Sequence, residues 1–243
     1  MNPLIVIPAR FSSTRFPGKP LVLINGKPMI QHVWERCKST CEQVVVATDD
    51  HRIFNAVEAF RGKCVMTSPN HNSGTDRCAE TARRMDTELI FDIVINVQGD
   101  EPFIEKEQIN KLIDCFSDPD TEIATLISPI KESESLFNPN KVKVVTSNNG
   151  FALYFSRQPI PYQRDVPEQN WLDNIQYYSH IGMYGFKKEV LLKVADLEQT
   201  PLEISEKLEQ LRWLENNFKI KTAVTFTENQ GIDTPEDLEK III

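Results

Sequence analysis

Residues 4–20 read Leu4-Ile5-Val6-Ile7-Pro8-Ala9-Arg10-Phe11-Ser12-Ser13-Thr14-Arg15-Phe16-Pro17-Gly18-Lys19-Pro20, an apolar run followed by a loop with three cations and three hydroxyl groups. The apolar run predicts a strand of a parallel sheet, and such a strand brings its carboxyl end to the ligand crevice. A polyanion bound there needs fixed positive charge and many hydrogen-bond donors. The loop therefore predicts a phosphate site that contains Arg10, Arg15 and Lys19.

This loop differs from both common phosphate-binding loops. It lacks the G-x-G-x-x-G spacing of dinucleotide-binding proteins, and Pro20 follows Lys19 where a Walker loop requires Ser or Thr. The sequence therefore argues against ordinary NAD binding and against ordinary ATPase chemistry.

Apolar runs that predict buried parallel strands recur in the first hundred residues, at 4–7, 44–47, 63–67 and 91–97. Helical patterns lie between them, from 29 to about 37, from 50 to about 61 and from 75 to about 85. Strands that alternate with helices predict an α/β protein with a doubly wound, mostly parallel sheet, which binds its ligand at the carboxyl ends of the strands.

The second half has more strands and fewer helices, and it predicts a smaller antiparallel elaboration. Its predicted strands are 121–127, 141–146, 152–157 and 177–186, and the least structured segment is 159–173, which would be a mobile lid or a subunit contact. Two closing helices are predicted to start after Thr200, with a capping box to Glu203, and after Thr234. The first of them is expected to bury Ile204, Leu208, Leu211 and Phe218 on one face.

Composition limits the classes of partner. The chain has 243 residues with 27 Lys and Arg against 35 Asp and Glu, a formal charge of −8. Such a surface repels nucleic acid and anionic membranes, so a local basic loop favours a small anion such as a free nucleotide. The five cysteines form no C-x-x-C pair, and we see neither a targeting segment nor a membrane-spanning run, so we expect a cytoplasmic protein with reduced thiols.

Two carboxylates are candidates for binding a hard cation. Asp100 follows the strand 91–97 and a glycine, so it is expected at the ligand edge of the sheet, where a cation that bridges phosphate oxygens would bind a carboxylate. Asp233 precedes the last helix and is the carboxylate that we pair with it. The alternative interpretation is that Asp100 is a turn or cap residue and that Asp233 only starts a helix.

The sequence His71-Asn72-Ser73-Gly74-Thr75-Asp76-Arg77 opens the third helix with a glycine turn and several polar side chains. A loop of this kind can hold a base or a ribose through its backbone groups. The alternative is that Ser73 or Thr75 only caps the helix.

Polar residues of the second half are candidates for binding a second substrate. His180 and Tyr184 share one face of a predicted strand, although a lone strand histidine is often structural. Arg157 ends another strand and could clamp a carboxylate bidentately or form a surface ion pair. Glu209 and Gln210 adjoin an apolar helical stripe, either as a solvated rim or as partners for sugar hydroxyls.

Taken together, these segments resemble the family of 3-deoxy-manno-octulosonate cytidylyltransferases, the CMP-Kdo synthetases. The residues that carry the resemblance are Ile7-Pro8-Ala9-Arg10 with Arg15-Phe16-Pro17-Gly18-Lys19-Pro20-Leu21, Ala47-Thr48-Asp49-Asp50, Ser73-Gly74-Thr75-Asp76-Arg77, Asn96-Val97-Gln98-Gly99-Asp100-Glu101-Pro102, Tyr154-Phe155-Ser156-Arg157, His180-Ile181-Gly182, Lys207-Leu208-Glu209-Gln210-Leu211-Arg212 and Asp233-Thr234-Pro235-Glu236-Asp237-Leu238. Each motif is weak by itself, but eight in order over nearly the whole chain are specific.

The resemblance implies transfer of CMP from CTP to 3-deoxy-manno-octulosonate (Kdo), with Mg²⁺ and release of pyrophosphate, for lipopolysaccharide synthesis. It also implies a fold of the nucleotide-diphospho-sugar transferase type and a homodimer in the cytoplasm. The chain would be a single nucleotidyltransferase domain, 1–243, with a nucleotide-binding half, 1–102, and a half for sugar-acid binding and dimerisation, 103–243.

The resemblance also implies roles for individual residues. The catalytic residues would be Arg10, Lys19, Asp100 and Asp233, and the metal ligands would be Asp100 and Asp233. The nucleotide-binding residues would be Pro8, Ala9, Arg10, Ser13, Arg15, Lys19, Ser73, Gly74, Thr75, Asp76, Arg77 and Gln98. The sugar-acid-binding residues would be Gln98, Arg157, His180, Tyr184, Glu209 and Gln210.

Three other interpretations stay open from the sequence. The same reaction could act on a related sugar acid, 8-amino-Kdo or a sialic acid, because a few side chains of the second half decide the substrate. A glycosyltransferase of similar sheet architecture would need a D-x-D metal motif, which neither Asp49-Asp50 nor Gly99-Asp100-Glu101 supplies. An inactive nucleotide-binding regulator is disfavoured because Arg10, Lys19, Asp100 and Asp233 are all present.

Overall fold

The computed structural model describes residues 1–12, 16–227, 231–232 and 237–238. The strands of the described residues are β1 Pro3–Ala9, β2 Leu23–Ile24, β3 Lys27–Pro28, β4 Val44–Thr48, β5 Lys63–Met66, β6 Ile93–Asn96, β7 Ile123–Pro129, β8 Lys143–Thr146, β9 Ala152–Ser156, β10 Tyr178–Lys187 and β11 Ile220–Val224. The α-helices are α1 Met29–Lys38, α2 His51–Ala59, α3 Gly74–Met85, α4 Lys106–Cys115, α5 Ser133–Phe137, α6 Trp171–Asn174, α7 Lys188–Ala195, α8 Pro201–Glu206 and α9 Glu209–Glu215. Short 3₁₀ turns cover Lys19–Leu21 and Glu168–Asn170.

Backbone contacts divide the chain into two compact units. The first unit contains Met1–Asn110, Gly185–Ala195 and Asn229–Ile243, and the second contains Lys111–Tyr184 and Asp196–Glu228. The expectation of a single domain with halves at 1–102 and 103–243 stays a prediction.

The first unit contains a parallel sheet with the strand order β6-β1-β4-β5. Ile5 of β1 lies opposite Val44 of β4, and Pro3 of β1 lies opposite Ile93 of β6. The centres of β1 and β4 are fully buried, as expected for Val- and Ile-rich strands that are covered on both faces. The predicted parallel strands of the first half are therefore confirmed.

Two helices of the first unit, α2 and α3, begin at residues whose side chains cap the helix. Asp50 accepts a hydrogen bond from the main-chain N–H of Arg52 at the start of α2. Ser73 and Asp76 form a reciprocal capping box at the start of α3. Helix α3 packs on β1 and β6, whereas α1 packs on β1 and β4. These caps and contacts fix the point where α3 begins, beside the carboxyl ends of β1 and β6.

The second unit combines parallel and antiparallel pairs. Strand β8 pairs antiparallel with both β9 and β10, which confirms the predicted antiparallel elaboration. Strand β11 was not predicted, and it pairs parallel with β7, so the second half is not wholly antiparallel. The chain as a whole has the predicted α/β class, with a mostly parallel mixed sheet and flanking helices, and a separate small antiparallel pair, β2 and β3.

The predicted helix after Thr200 is wrong in three respects. The helix α8 ends at Glu206, because Lys207 adopts the left-handed conformation with φ 54°, and α9 follows as a separate helix. Ile204 is 49% exposed and is therefore not part of a buried face. The side chain of Thr200 makes no capping bond, and Glu203 faces the buried Arg212 at 3.4 Å instead.

The segment 159–173 is part of the second unit and packs within it through a small apolar cluster. Trp171 is buried with Ile130, Leu136 and Tyr177. The Tyr177 hydroxyl donates to the main-chain carbonyl of Pro161 over 2.8 Å.

The predicted second closing helix, after Thr234, starts outside the described residues. Within the described ranges, no helix combines the length and the apolar character needed to cross a membrane.

Candidate active site

A cavity of about 220 Å³ opens in the first unit where β1 and β6 end and α3 begins. Its lining residues are Pro8, Ala9, Arg10, Lys19, Pro20, His71, Asn72, Ser73, Gly74, Arg77, Gln98, Gly99 and Asp100. The carboxyl edge of a parallel sheet is the position predicted for a ligand. We call this feature the first-unit cavity.

Lys19 lies at the first-unit cavity because of the turn before it. Gly18 has φ 73°, and a Cβ atom there would lie 3.0 Å from the ring of Phe11, so the turn requires glycine. The Gly18 N–H donates to the Phe11 carbonyl over 2.9 Å and closes the loop. The Lys19 side chain is 10% exposed, and its Nζ donates to Asp100 Oδ2 over 2.6 Å. The ammonium group is therefore fixed beside a carboxylate at the edge of the cavity.

Asp100 is brought to the same place by a close approach of two chain segments. A Cβ atom on Gly99 would lie 3.0 Å from the carbonyl oxygen of Pro8, so the turn after β6 can reach the end of β1 only with glycine there. The Asp100 side chain is about one-third exposed, at 35%. The main-chain N–H of Ile232 donates to the Asp100 carbonyl over 3.2 Å.

The carboxylate oxygen atoms of Asp100 fit a divalent cation of the magnesium type. Only one carboxylate oxygen of Asp100 contacts Lys19, and Mg²⁺ is usually held by one or two carboxylates together with waters and substrate phosphates. Over the described part of the chain, no group of three or more His, Cys, Asp or Glu side chains could hold a metal by itself. The protein ligands therefore suit a cation that binds together with the phosphate groups of a substrate. Asp233, the second predicted metal ligand, lies outside the described residues.

The two arginines of the first-unit cavity differ in their surroundings. Arg10 is exposed, and its side chain makes no hydrogen bond or ion pair with the described residues. Arg77 is 4% exposed and donates to Asp49 Oδ2 over 2.9 Å and to Thr67 Oγ1 over 2.5 Å. Arg10 can therefore bind an external anion, whereas the charge of Arg77 is already compensated within the protein.

The predicted base-binding loop is also a helix cap. Ser73 Oγ accepts from the Asp76 N–H and Asp76 Oδ2 accepts from the Ser73 N–H, each over 3.1 Å. Ser73 and Gly74 line the cavity as well, whereas Thr75 is buried, and neither Thr75 nor Asp76 is among the lining residues. The capping interpretation is therefore confirmed for Ser73, which caps the helix and also faces the cavity.

His71 and Asn72, the first two residues of the predicted base-binding loop, also line the cavity. Glu80 of α3 anchors this segment, because its Oε2 accepts from the Ser68 N–H over 2.8 Å and from His71 Nε2 over 2.5 Å. The Glu80 pKa is lowered by these hydrogen bonds and by Arg84, against the raising effect of burial.

Three predicted residues lie outside the described part of the chain: Ser13, Arg15 and Asp233. Gln98 lies at the first-unit cavity, and its Nε2 contacts the buried Asn96 Oδ1 at 3.5 Å.

The second unit brings several of its predicted residues together. The rings of His180 and Tyr184 lie 5.2 Å apart, which confirms that the two residues share one face of β10. The Tyr184 ring also packs edge-on against Trp213 at 4.9 Å. Burial lowers the His180 pKa to about 3. Burial and the nearby Glu209 carboxylate raise the pKa of Tyr184 well above its ordinary value. Both side chains are therefore neutral at pH near 7 and act as hydrogen-bonding groups.

Glu209 and Gln210 lie in the first turn of α9, the helix whose Trp213 packs on Tyr184. Glu209 Oε1 accepts from Arg212 Nη2 over 2.8 Å, and Arg212 Nη1 donates to the Leu197 carbonyl over 2.8 Å. Gln210 is 4% exposed, and its side-chain amide makes no hydrogen bond with the described residues. We call His180, Tyr184, Glu209 and Gln210 the second-unit cluster.

Arg157 lies after β9 and bonds mainly to the backbone. Its Nε donates to the Glu206 carbonyl over 2.6 Å, and Nη1 donates to the Pro139 carbonyl over 3.0 Å. A longer contact of 3.4 Å joins Nη2 to the Lys207 carbonyl. Since a guanidinium group has five N–H donors, one donor on each terminal nitrogen remains for a ligand.

Comparisons with known proteins agree with one another. The sequence profile of the family described as Cytidylyltransferase matches residues 4–221. A protein of Parabacteroides distasonis named 3-deoxy-manno-octulosonate cytidylyltransferase is 52% identical, over 98% of this chain and 95% of that protein. A Cytophaga hutchinsonii protein of the same name is 53% identical, over 97% of this chain and 94% of that protein. The solved structure of CMP:2-keto-3-deoxy-manno-octonic acid synthetase complexed with CTP is 42% identical, covers 100% of this chain and 97% of that chain, and superimposes with a TM-score of 0.91.

Proposed function

The chain belongs to the 3-deoxy-manno-octulosonate cytidylyltransferases of the cytidylyltransferase family, and we propose that it transfers CMP from CTP to Kdo with release of pyrophosphate. The observation that carries this proposal is the first-unit cavity, where Arg10 and Lys19 lie with Asp100 at the carboxyl ends of parallel strands. A relative at 42% identity is known as a complex with CTP, which is the nucleotide that this cavity would bind. The names of the relatives favour Kdo over 8-amino-Kdo or a sialic acid.

The cations of the cavity suit attack on the α-phosphate of CTP. In this reaction negative charge develops on the phosphate oxygens and on the leaving pyrophosphate. Arg10 binds phosphate oxygens through a guanidinium group that is not engaged by described residues. Lys19 provides a compact charge that the Gly18 turn and Asp100 hold in place, so it costs little reorganisation when the charge develops. Stabilisation of developing charge is the main contribution of the protein, and the reaction needs no protein nucleophile.

Asp100 and Asp233 would hold Mg²⁺ in this reaction. The support for Asp100 is its partly exposed carboxylate at the cavity, and the support for Asp233 is the bond between Asp100 and Ile232, its neighbour in the chain. The cation would neutralise phosphate charge and polarise the α-phosphate. We assign recognition of cytosine and ribose to the loop 73–77, in which Ser73 and Gly74 line the cavity.

The sugar acid would be bound by Gln98, Arg157, His180, Tyr184, Glu209 and Gln210. Gln210 gives specific support, because its amide makes no hydrogen bond with the described residues and can both donate to and accept from sugar hydroxyls. Arg157 would bind the carboxylate through the N–H groups that the backbone carbonyls leave available. The neutral His180 and Tyr184 would bind hydroxyl groups without repelling a cation or an anion.

Three further properties belong to the proposal. The chain would act in the cytoplasm and in lipopolysaccharide synthesis, and its cysteines, all free thiols, agree with a reducing compartment. It would form a homodimer, and exposed apolar side chains of the second unit such as Leu153 (62%) and Ile204 (49%) support a protein contact there. Sedimentation at micromolar concentration should show a dimer, and a monomer would contradict this part.

The proposed function is tested by measuring pyrophosphate release from CTP in the presence of Mg²⁺. We expect release that depends on Kdo and that is at least tenfold slower, at equal concentration, with 8-amino-Kdo or a sialic acid, since one missing or extra polar group costs roughly this much in a hydrogen-bonding site. Equal rates with all three sugar acids would contradict the choice of Kdo. A chain that binds CTP but releases no pyrophosphate with any of them would instead be the nucleotide-binding regulator.

A further inference from the structure

Thr125 of β7 has three polar atoms within hydrogen-bond distance of its hydroxyl oxygen. These are His180 Nε2 at 2.9 Å, the carbonyl oxygen of Met183 at 2.9 Å and the carbonyl oxygen of Ile181 at 3.2 Å. Thr125 itself is fully buried. No water can therefore separate these groups, and the hydroxyl must satisfy them with one hydrogen atom.

Chemistry allows only one arrangement of hydrogen atoms that avoids repulsion. Carbonyl oxygens only accept hydrogen bonds, so the Thr125 hydrogen must point to the carbonyl oxygens of Met183 and Ile181. If it pointed to His180 Nε2 instead, the lone pairs of the Thr125 oxygen would face those of both carbonyl oxygens in a buried site. The Thr125 oxygen therefore accepts, and His180 Nε2 must be the donor.

The other ring nitrogen of His180 is then an acceptor. Burial keeps the imidazole neutral, so a ring with a hydrogen on Nε2 carries a lone pair on Nδ1. Nδ1 makes no hydrogen bond to any residue within the described ranges. Phe155 packs edge-on against the ring at 5.2 Å and Tyr184 packs at 5.2 Å, so the orientation of the ring is fixed as well.

We infer that Thr125 is a positioning residue that holds His180 as the Nε2–H tautomer, so that Nδ1 accepts a hydrogen bond from a hydroxyl group of the sugar-acid substrate. The inference rests on the proposed function for the identity of the substrate. The inference names the acceptor atom, His180 Nδ1, and the direction of the hydrogen bond. A substrate hydroxyl that donates to Nδ1 can bind at this position, whereas a substrate group that has no hydrogen to donate cannot.

The tautomer is tested directly by ¹⁵N NMR of the wild-type protein labelled at its 4 histidines, with the signals of His180 identified by their absence in a His180→Asn variant. We expect a protonated Nε2 and an unprotonated Nδ1 at neutral pH. A protonated Nδ1 would overturn the inference, whether or not the enzyme is active.

The role of Thr125 is tested by Thr125→Val, which keeps the shape and removes the hydroxyl. We expect both tautomers of His180 in the NMR spectrum and a KM for Kdo that rises about 3- to 10-fold, the effect of one ordinary hydrogen bond, while the KM for CTP stays unchanged. Thr125→Ser keeps the hydroxyl and should restore both readouts, and Thr125→Ala removes the hydroxyl if the valine variant fails to fold. An unchanged tautomer or an unchanged KM for Kdo in Thr125→Val would overturn the role of Thr125.

The acceptor atom is tested by a pair of variants at His180. The side-chain oxygen of His180→Asn can occupy the position of Nδ1, whereas that of His180→Gln extends to the position of Nε2. We expect His180→Asn to keep the lower KM for Kdo of the two, and the reverse order would contradict an acceptor at Nδ1. A wild-type protein that makes no product from Kdo would refute the proposed function, a result distinct from an active enzyme with the wrong tautomer.

Discussion

The first-unit cavity and the second-unit cluster solve different recognition problems with different chemistry. The cavity presents charged groups, of which Arg10 is exposed and Lys19 donates to the Asp100 carboxylate. The cluster presents the neutral groups His180 and Tyr184 beside the Glu209 carboxylate, whose charge Arg212 compensates, and Arg157 of the same unit is tied to backbone carbonyls. A triphosphate requires compensation of charge, which depends weakly on direction, whereas a sugar requires hydrogen bonds of defined direction. The comparison predicts that substitutions in the cavity change the rate and that substitutions in the cluster change the affinity for the sugar.

The largest effect is expected for Lys19→Ala. We expect kcat to fall on the order of 100-fold or more, with a smaller change in the KM for CTP, because the lost charge acts on the transition state. Steady-state kinetics with varied CTP separate the two constants. Lys27→Ala is the matched control, since Lys27 forms an exposed pair with Glu35 in the same unit and should leave the rate unchanged. A normal kcat with a raised KM would limit Lys19 to binding CTP in its ground state.

Arg157→Ala is expected to affect the second substrate alone. The KM for Kdo should rise about 30-fold or more, the effect of losing a hydrogen bond between charged groups, and the KM for CTP should stay within about twofold. The free energy of unfolding should also fall, because the Pro139 and Glu206 carbonyls lose their donor. Both KM values and a urea unfolding curve are needed.

The matched control for Arg157 is Arg164→Ala, since the Arg164 side chain is 91% exposed in the same unit. A protein that loses stability but keeps its KM for Kdo would make Arg157 purely structural. Arg164 would then be the next candidate for binding the carboxylate, and its own substitution should raise that KM.

The sequence predicted the first unit better than the second, for physical reasons. Buried parallel strands are continuous apolar runs, so β1 and β4 were recognisable from composition alone. The end of α8 depends on one left-handed residue, Lys207, and no local signal marks it because Lys is an ordinary helix former. Glu203 was predicted as a capping residue but contacts Arg212, a contact that only the tertiary structure determines.

The candidate site was also predicted only in part from the sequence. Arg10, Lys19 and Asp100 were recognisable because charges directly after apolar strands have few structural explanations. The Thr125 contact with His180 joins two strands that are distant in sequence, and a threonine within a strand carries no sign of such a role.

The neutral state of His180 gives the free energy of unfolding a pH dependence. Its folded pKa of about 3 lies below the ordinary 6.5, so below pH 6.5 the unfolded chain binds a proton that the folded protein excludes. The free energy of unfolding should therefore fall as the pH decreases from 6.5 towards 3. Between pH 6.5 and 5.5 this one group should contribute about 1 kcal/mol of loss.

Urea unfolding of the wild-type protein and of His180→Asn at both pH values measures this contribution. The stability difference between the two proteins should narrow by about 1 kcal/mol at the lower pH. If the stability difference between the two proteins does not change with pH, His180 is protonated in the folded protein. That result would remove the contrast between the charged groups of the cavity and the neutral His180.

The smallest effect is expected at the edge of the cavity, for Glu80→Gln. The amide accepts more weakly from Ser68 and His71, so the segment that carries His71 and Asn72 should be held less firmly. We expect the KM for CTP to rise about 3- to 10-fold with an unchanged KM for Kdo. Glu88→Gln is the control, because Glu88 forms only an exposed pair with Lys63. A rise in the KM for Kdo instead would contradict the assignment of this segment to the nucleotide.

Transfer of CMP from CTP to Kdo is observed directly by ³¹P NMR of the wild-type protein mixed with CTP, Kdo and Mg²⁺. We expect the three phosphate signals of CTP to be replaced by those of pyrophosphate and of one phosphodiester, and we expect no change when Kdo is omitted. Persistent CTP signals in the complete mixture, or hydrolysis of CTP that is independent of Kdo, would contradict the proposed function.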